Sequence, residues 1–236
     1  MSAVHIMLMD AAAAPMEGAL LPRLHAAEQA RYRGFDHAAR RVSWLAGRAL
    51  MLAALERVTG SVDPLALRTA ESGGVRYGDG AWHLNLSHSC GLIGVALATL
   101  PVGLDIEWPR TRLAVDAAER VYTPEEAAQL APLAAAERQD TFYAFWTLKE
   151  AACKAMDLQL WQGLKHARFD LAARRFFPEP PFPGGPWSCV HARLPEGVRL
   201  ALAVRSAPPL EVECLRLAAP GWNKEMLVEP AWVYAS

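Results

Sequence analysis

The chain has 236 residues, enough for one large domain or two modest ones with a real hydrophobic core. Hydrophobic residues make up 53% of it, which excludes a disordered protein, and 24 basic against 25 acidic residues argue against a nucleic-acid-binding protein. Four cysteines without a CxxC pair are typical of buried thiols in a reducing compartment. We see no signal peptide and no apolar run long enough to cross a bilayer, so we expect a cytoplasmic protein that does not bind membranes.

The hydrophobic pattern predicts helices and short strands in a similar order in both halves. In the first half we predict a strand at 5–9, a helix over 26–57 that breaks near Gly34, and strands at 65–69, 83–86, 92–98 and 103–107. In the second half Thr123, Pro124 and Glu126 form the capping signature of a helix start. A longer helix follows over 136–156, then strands at 167–171, 187–193, 199–204 and 212–217, with a proline-rich loop at 177–186.

Two carboxylates stand two residues apart in the predicted strand Gly103-Leu104-Asp105-Ile106-Glu107. Strand residues two apart share a face, so Asp105 and Glu107 project together while Leu104 and Ile106 face the core. Side-by-side carboxylates repel each other, and a divalent cation such as Mg²⁺ relieves that repulsion by taking oxygen ligands. The alternative is an ordinary edge strand with a solvated acidic face.

The long predicted helix contains a second group of ionisable residues, in the run Trp146-Thr147-Leu148-Lys149-Glu150-Ala151-Ala152-Cys153-Lys154-Ala155. Glu150 and Lys154 are four residues apart and share a face. The glutamate could complete a metal site or take a proton from a hydroxyl, and the lysine could neutralise a phosphate oxygen. An i,i+4 salt bridge on the helix surface is the alternative.

Polar residues also mark the end of a predicted strand, in the run Asn85-Leu86-Ser87-His88-Ser89. Ser87 and His88 could hydrogen-bond phosphates at such a strand end. They fit poorly as a nucleophile pair, because neighbouring strand residues point to opposite faces. A turn histidine bonded to backbone remains the alternative for His88. Taken together, the three segments fit a Mg²⁺-assisted phosphate site.

Taken in chain order, the three segments resemble the signatures of the phosphopantetheinyl transferase superfamily. The chain length is similar to that of its single-chain Sfp type. The resemblance runs from about residue 31 to residue 154. It implies an α+β fold, a pseudo-dimer of two similar α+β halves, which we place at 1–103 for the coenzyme A nucleotide contacts and 104–236 for the metal site. The implied activity is that of a holo-acyl-carrier-protein synthase. Such an enzyme moves the 4′-phosphopantetheine arm of coenzyme A to a serine of an apo acyl or peptidyl carrier protein and releases adenosine 3′,5′-bisphosphate.

The resemblance also implies the catalytic and metal-binding residues. Asp105 and Glu107 would hold Mg²⁺, or Mn²⁺ in its place. Glu150 would be a further ligand or the base for the carrier serine, and Lys154 would stabilise the transferred phosphate. Asp105, Glu150 and Lys154 form the expected catalytic set. Glu125 is a weaker candidate for this set, because it stands before the long predicted helix.

Contacts to coenzyme A are expected from nine residues, namely Arg31, Arg40, Arg41, Arg48, Arg76, Ser87, His88, Lys149 and Lys154. Arginine forks suit phosphates, and Arg31 is the preferred 3′-phosphate contact, although solvated surface arginines are the alternative. Lys149 has two open roles, a structural one or a contact to the pyrophosphate. Gly74 stands where the family has the lysine of a Gly-Lys-Pro turn, and Arg76 could replace that lysine.

The resemblance favours a monomer from the subgroup tied to secondary-metabolite biosynthesis, with the carrier docking near Trp161. Two other functions remain open. One is a Mg²⁺-dependent nucleotide hydrolase that uses water as the nucleophile. The other is an inactive relative that only binds the carrier protein or coenzyme A, although the complete set of acidic residues and Lys154 argues against it. Transfer of a phosphopantetheine to an apo carrier occurs only under the first hypothesis.

Overall fold

The computed structural model describes residues 2–13, 17–70, 74–109, 121–218, 221–224 and 228–235. The protein is a mixed α+β protein, as the sequence predicts, and it divides into two compact units. The first, called here the N-terminal unit, comprises residues 2–100 and 211–225, and the second, the C-terminal unit, comprises residues 101–210 and 226–236. None of the described helices combines the length and the apolar character needed to cross a bilayer.

The strands are, in chain order, β1 (Ser2–Asp10), β2 (Leu67–Thr69), β3 (Val75–Tyr77), β4 (Trp82–Ser89), β5 (Leu92–Ala98), β6 (Val102–Glu107), β7 (Ala167–Asp170), β8 (Arg175–Pro178), β9 (Ser188–Arg193), β10 (Arg199–Val204), β11 (Leu210–Ala218), β12 (Gly221–Lys224) and β13 (Val228–Ala235). The α-helices described are α1 (Glu17–Leu20), α2 (Ala26–Arg33), α3 (Ala38–Thr59), α4 (Pro124–Leu130), α5 (Ala135–Ala155) and α6 (Leu160–Gly163). Short 3₁₀ turns occur at Ala11–Ala13, Leu21–Arg23 and Pro64–Ala66.

The N-terminal unit is built on a sheet with the described strand order β12-β11-β1-β5-β4-β3-β2. Helix α3 packs against this sheet and buries an apolar stripe that includes Leu45, Leu52 and Leu55. The helix passes close to β4 at Gly47, where a Cβ would lie 2.3 Å from Leu86 Cδ1 and the leucine side chain would have to shift. The helix ends at Gly60, whose φ of +81° favours glycine.

The C-terminal unit is built on a sheet with the described strand order β6-β10-β9-β13-β8-β7, and α5 packs on one face of it. Thr123 caps α4 through the predicted capping box with Glu126, so the helix starts at Pro124 as expected. The core between α5 and the sheet is rich in aromatic residues, namely Phe145, Phe169, Phe176, Phe182 and Trp187.

The last strands of the chain are divided between the two units. The expected second half is 104–236, whereas residues 211–225 cluster with the N-terminal unit because β11 lies beside β1 in its sheet. Strands β3, β8, β12 and β13 and helices α1 and α6 were not predicted, and β8 takes in the first two residues of the predicted loop 177–186. Three of the four cysteines are buried as expected, but Cys90 is exposed.

Candidate active site

The predicted acidic strand has its carboxylates on the face that packs against α5. Gly103 is on this face, and a Cβ there would lie 1.9 Å from the Ala151 carbonyl oxygen, so only glycine allows strand β6 to meet the helix. Asp105 and Glu107 follow on the same face by strand alternation, and Asp105 is buried with 2% exposure. Leu104 and Ile106 are fully buried as predicted, but on the opposite face of the strand from the core between α5 and the sheet.

Lys154 connects strand β6 to helix α5. Its ammonium nitrogen lies 2.6 Å from Asp105 Oδ1 and 3.4 Å from Glu150 Oε2. The contact between β6 and the last two turns of α5 therefore brings together three side chains that the sequence separates by as much as 49 positions. The i,i+4 salt bridge that was the alternative for Glu150 and Lys154 exists, but it is part of a cluster that includes the strand carboxylate.

The electrostatics of this cluster bring the pKa of Glu150 close to neutral pH. Burial raises the pKa of Glu150 to about 7, with further contributions from the charges of Asp105 and Glu107, while Lys154 opposes the shift. Burial alone would lower the pKa of Lys154, but Asp105 and Glu150 raise it above its ordinary value. The cluster thus pairs a charged lysine with a carboxyl group that can exchange a proton at physiological pH.

The donor set suits a hard divalent cation that is completed by other oxygen ligands. Among the described residues, no group of three or more His, Cys, Asp or Glu side chains forms a ready metal cage. Mg²⁺, however, is commonly held by one or two carboxylates together with substrate phosphates and water. The repulsion that Glu150 experiences from Asp105 and Glu107 is the feature that such a cation relieves.

Lys149 has a different environment from Lys154, although the two belong to the same motif. Its side chain is 0% exposed, and its ammonium lies 2.8 Å from Glu126 Oε2. It also donates to the carbonyl oxygens of Leu164 at 2.6 Å and Ala167 at 2.8 Å. Of the two roles that the sequence left open for Lys149, this geometry favours the structural one and leaves its ammonium no capacity for a phosphate.

Glu126 is an important buried residue that the sequence indicated only as a helix cap. Besides pairing with Lys149, it accepts hydrogen bonds from the backbone N–H groups of Thr123 and Phe169, both at 2.9 Å. It therefore links α4 to both α5 and β7. The capping pattern Thr-x-x-Glu was a visible signal, but the partner Lys149 was not.

Arg48, which the sequence predicts as a coenzyme A contact, is also buried. It is 4% exposed, its Nε donates to Glu28 Oε2 at 2.6 Å, and its guanidinium lies 4.4 Å from the ring centre of Trp44. These contacts give Arg48 a structural role in the N-terminal unit. Glu28, which lies 20 residues earlier, carried no signal in the sequence.

The other predicted arginines lie at the surface around the junction of α2 and α3. Arg31 and Arg40 are exposed, and Arg40 lies 4.7 Å from the ring centre of Phe35. Arg41 is half-buried and donates to the Phe35 carbonyl oxygen at 2.9 Å. Of this group, Arg31 and Arg40 are best exposed for contact with an anion.

The polar end of β4 divides its predicted ligand contacts between two faces. Ser87 is buried on the face away from α3, whereas the exposed His88 shares the face of Leu86, which contacts α3. Arg76 is directly opposite His83 in the strand pairing and so shares the face of Ser87. Glu125, the weaker candidate, is fully exposed and its pKa is lowered by a hydrogen bond from the Thr123 hydroxyl.

Strand β6 with its two carboxylates, and Glu150 and Lys154 on α5, all fall within one stretch that is similar to known proteins. Residues 101–203 match the 4′-phosphopantetheinyl transferase superfamily. A 4′-phosphopantetheinyl transferase of Bacillus subtilis is 35% identical to the chain over 72 residues, which are 30% of this chain and 32% of that protein. The matched part thus spans about a third of the length of this relative.

The phosphopantetheinyl transferase match contains the whole charged cluster, with Asp105, Glu107, Glu150 and Lys154. The predicted coenzyme A contacts from Arg31 to His88 precede it in the sequence. The superfamily match therefore includes both β6 and α5, the two elements that carry these side chains.

Proposed function

We propose that the protein is an Sfp-type 4′-phosphopantetheinyl transferase that loads the phosphopantetheine arm of coenzyme A onto a serine of an apo acyl or peptidyl carrier protein. The observation that carries the proposal is the Lys154 ammonium between Asp105 and Glu150, within a stretch that matches the superfamily. A strand carboxylate, a helix carboxylate and an amine in contact form the kind of charged centre that phosphoryl transfer uses.

In the proposed reaction the carrier serine oxygen attacks the phosphorus next to the pantetheine. A new oxygen–phosphorus bond forms, the bond from that phosphorus to the bridging oxygen breaks, and its electrons leave with adenosine 3′,5′-bisphosphate. Glu150, with a pKa of about 7, accepts the serine proton. The charged Lys154 neutralises a phosphate oxygen as negative charge develops there.

Asp105, Glu107 and Glu150 are the residues that would hold a divalent cation. When bound, Mg²⁺ or Mn²⁺ neutralises the charge of the pyrophosphate oxygens. Glu150 has two candidate roles, ligand and base, and its proximity to both Asp105 and Lys154 is compatible with either.

The decisive experiment incubates the protein with coenzyme A, Mg²⁺ and a panel of apo carriers, with mass spectrometry of the carrier as the readout. We expect a phosphopantetheine adduct with wild type. Asp105→Asn and Lys154→Ala should lower the rate by about 100-fold or more, as loss of a charge-stabilising group does. Arg138→Ala, at an exposed arginine on α5 outside the cluster and outside the proposed docking surface, is the matched control.

The alternatives give different outcomes in the same experiment. A nucleotide hydrolase would split coenzyme A without a carrier, and an inactive relative would bind coenzyme A and leave the carrier unmodified. Full turnover by folded Asp105→Asn would contradict the metal assignment. For Lys154→Ala, we expect the turnover number to fall more than the affinity for coenzyme A.

The carrier is proposed to dock near Trp161, whose side chain is 82% exposed at the start of α6. Exposed Lys165 and His166 follow it, and such a basic and aromatic surface suits an acidic partner. Trp161→Ala should raise the KM for the carrier and leave the KM for coenzyme A unchanged. An equal rise of both constants would count against this docking surface.

A further inference from the structure

The side chains proposed to receive the carrier stand on a short stretch of chain, the 160–167 segment, which consists of α6 and the turn that leads into β7. Trp161, Lys165 and His166 on this segment are exposed, and together they are called here the docking surface. Helix α6 has only four residues, and a helix of that length is not stable by itself. Contacts with the rest of the C-terminal unit therefore decide where the docking surface lies.

The first attachment of the segment is the buried ammonium group of Lys149 on α5. It donates to the carbonyl oxygens of Leu164 at 2.6 Å and Ala167 at 2.8 Å. These two residues stand on either side of Lys165 and His166 in the chain. The buried lysine therefore holds the backbone on both sides of the exposed basic pair.

The second attachment is the buried Gly163, which lies directly on Cys153 of α5. A Cβ at position 163 would lie 2.5 Å from Cys153 Sγ and 3.1 Å from Phe182 Cζ. Leu160, three residues earlier, packs against the same core. Because Gly163 comes two residues after Trp161, its contact with the helix sets the distance between the tryptophan and α5.

Both attachments are made to the turns of α5 that carry the charged cluster. Lys149 and Cys153 are four residues apart and share one stripe of the helix. Glu150 and Lys154 follow each of them by one residue, so they form the neighbouring stripe, about 100° around the helix axis. One helix therefore connects the docking surface to the groups proposed to act on the phosphate.

We propose that Gly163 is a positioning residue for the carrier protein, because its contact with Cys153 fixes the docking surface relative to the charged cluster on the same helix. This inference rests on the proposed function in taking the partner to be an acidic apo carrier whose serine must reach that cluster. An acidic partner suits the exposed Lys165 and His166. A serine displaced by about 1 Å loses much of the advantage of orientation, so the place of the surface matters as well as its chemistry.

The test is Gly163→Ala in the full chain, with the kinetics of both substrates measured separately. The new methyl group pushes the 160–167 segment away from α5, so kcat/KM for the carrier should fall by about tenfold, with the KM for coenzyme A within about twofold of wild type. Binding of the serine-to-alanine form of each carrier, measured by titration calorimetry, should weaken, while the affinity for coenzyme A stays unchanged. Gly184→Ala, where a Cβ meets nothing within 4 Å among the described residues, is the matched control.

Cys153→Ala provides a rescue that a merely structural role would not show. It removes the sulfur atom that the new methyl group meets, so the double variant with Gly163→Ala should recover most of the lost kcat/KM for the carrier. If Gly163 served only folding, a second truncation in the core would make the defect worse. Should Gly163→Ala fail to fold, Cys153→Val presses on the same glycine from the helix side, and we expect a smaller loss with the same selectivity for the carrier.

Three results overturn the inference. They are a wild-type kcat/KM for the carrier in the folded variants, an equal loss of affinity for carrier and coenzyme A, and a double variant that is worse than Gly163→Ala alone. If no apo carrier is modified, yet wild type binds the serine-to-alanine carrier and Gly163→Ala weakens that binding, the proposed function fails while this inference stands.

Discussion

Glu150 is the single residue whose charge state should set the pH dependence of the site. Its pKa is raised from 4.5 to about 7, first by burial and then by Asp105. A carboxyl group must lose its proton to bind a divalent cation, so the affinity for Mn²⁺ should fall as the pH drops from 8 to 6. Below pH 7 we expect a loss of up to about tenfold per pH unit, measured by titration calorimetry without coenzyme A.

The same shift has a signature in the stability of the metal-free protein. The folded-state pKa of Glu150 lies above its unfolded value, so ionisation is disfavoured in the native state. The contribution of Glu150 to the free energy of unfolding is fully present at low pH and is lost as the pH rises from about 4.5 to about 7.

Glu150→Gln should flatten the pH dependence of the affinity for Mn²⁺ over pH 6–8, whereas Glu137→Gln should retain it. A wild-type affinity that does not change with pH would contradict the assignment.

Lys149 should matter for folding rather than for ligand binding. Lys149→Met leaves Glu126 buried without its cation, which should lower the free energy of unfolding by about 3–5 kcal/mol in urea titrations. Replacing both residues, as Lys149→Met with Glu126→Gln, should recover part of that loss. An unchanged stability with a weakened affinity for coenzyme A would instead support the pyrophosphate contact.

The two motif lysines show how far residue patterns reach. The sequence placed Glu150 and Lys154 on one face, and the structure brings both to Asp105. It could not separate the roles of Lys149 and Lys154, because exposure depends on which neighbours surround each side of the helix. The partner of Lys149 comes from α4, and the partner of Arg48 comes from α2. Neither partner has a fixed spacing from its arginine or lysine that a motif would reveal.

At the scale of elements, the contact between β6 and α5 depends on one glycine. A Cβ at position 103 would lie 1.9 Å from the carbonyl oxygen of Ala151 and 2.4 Å from the backbone nitrogen of Ala155, and backbone atoms cannot move aside cheaply. Gly103→Ala should therefore destabilise the protein by about 3 kcal/mol, at the upper end of overpacking effects. It should also lower transfer activity, because Asp105 moves with its strand.

The control for this prediction is Gly184→Ala in the same unit. A Cβ there has no atom within 4 Å, so its effect should stay within about 0.5 kcal/mol. Both variants can be compared by urea unfolding and by the rate of carrier modification. Equal stability of the two would show that β6 and α5 do not pack as closely as described.

The predictability of an element follows its length and periodicity. Helix α5 was predicted within one residue at both ends, and α3 ends two residues beyond the predicted 57, because each repeats its apolar stripe over several turns. Strands β3 and β8 have only three and four residues, and their pairing with neighbours, rather than their own composition, makes them strands. Such short elements carry no periodic signal.

At the scale of the whole molecule, the C-terminal strands connect parts of the chain that are far apart in sequence. The predicted strand at 212–217 exists within β11, yet its place beside β1 could not be predicted. An alternating pattern indicates which face of a strand is buried but not which sheet receives it, since pairing is a long-range choice. The chain therefore leaves the N-terminal unit after residue 100 and returns to it at residue 211.

Because β11 belongs to the sheet of the N-terminal unit, a mutation in β11 should destabilise that unit first. Leu215 is buried in the core of the N-terminal unit, and Leu148 in that of the C-terminal unit. Leu215→Ala and Leu148→Ala remove the same atoms, and each should cost about 2–5 kcal/mol. In hydrogen exchange, Leu215→Ala should first accelerate the amides of β1 and α3, although these elements are more than 150 residues away in the sequence. Leu148→Ala should first accelerate those of α5 and β7. The reverse pattern for Leu215→Ala would show that β11 belongs with the C-terminal strands after all.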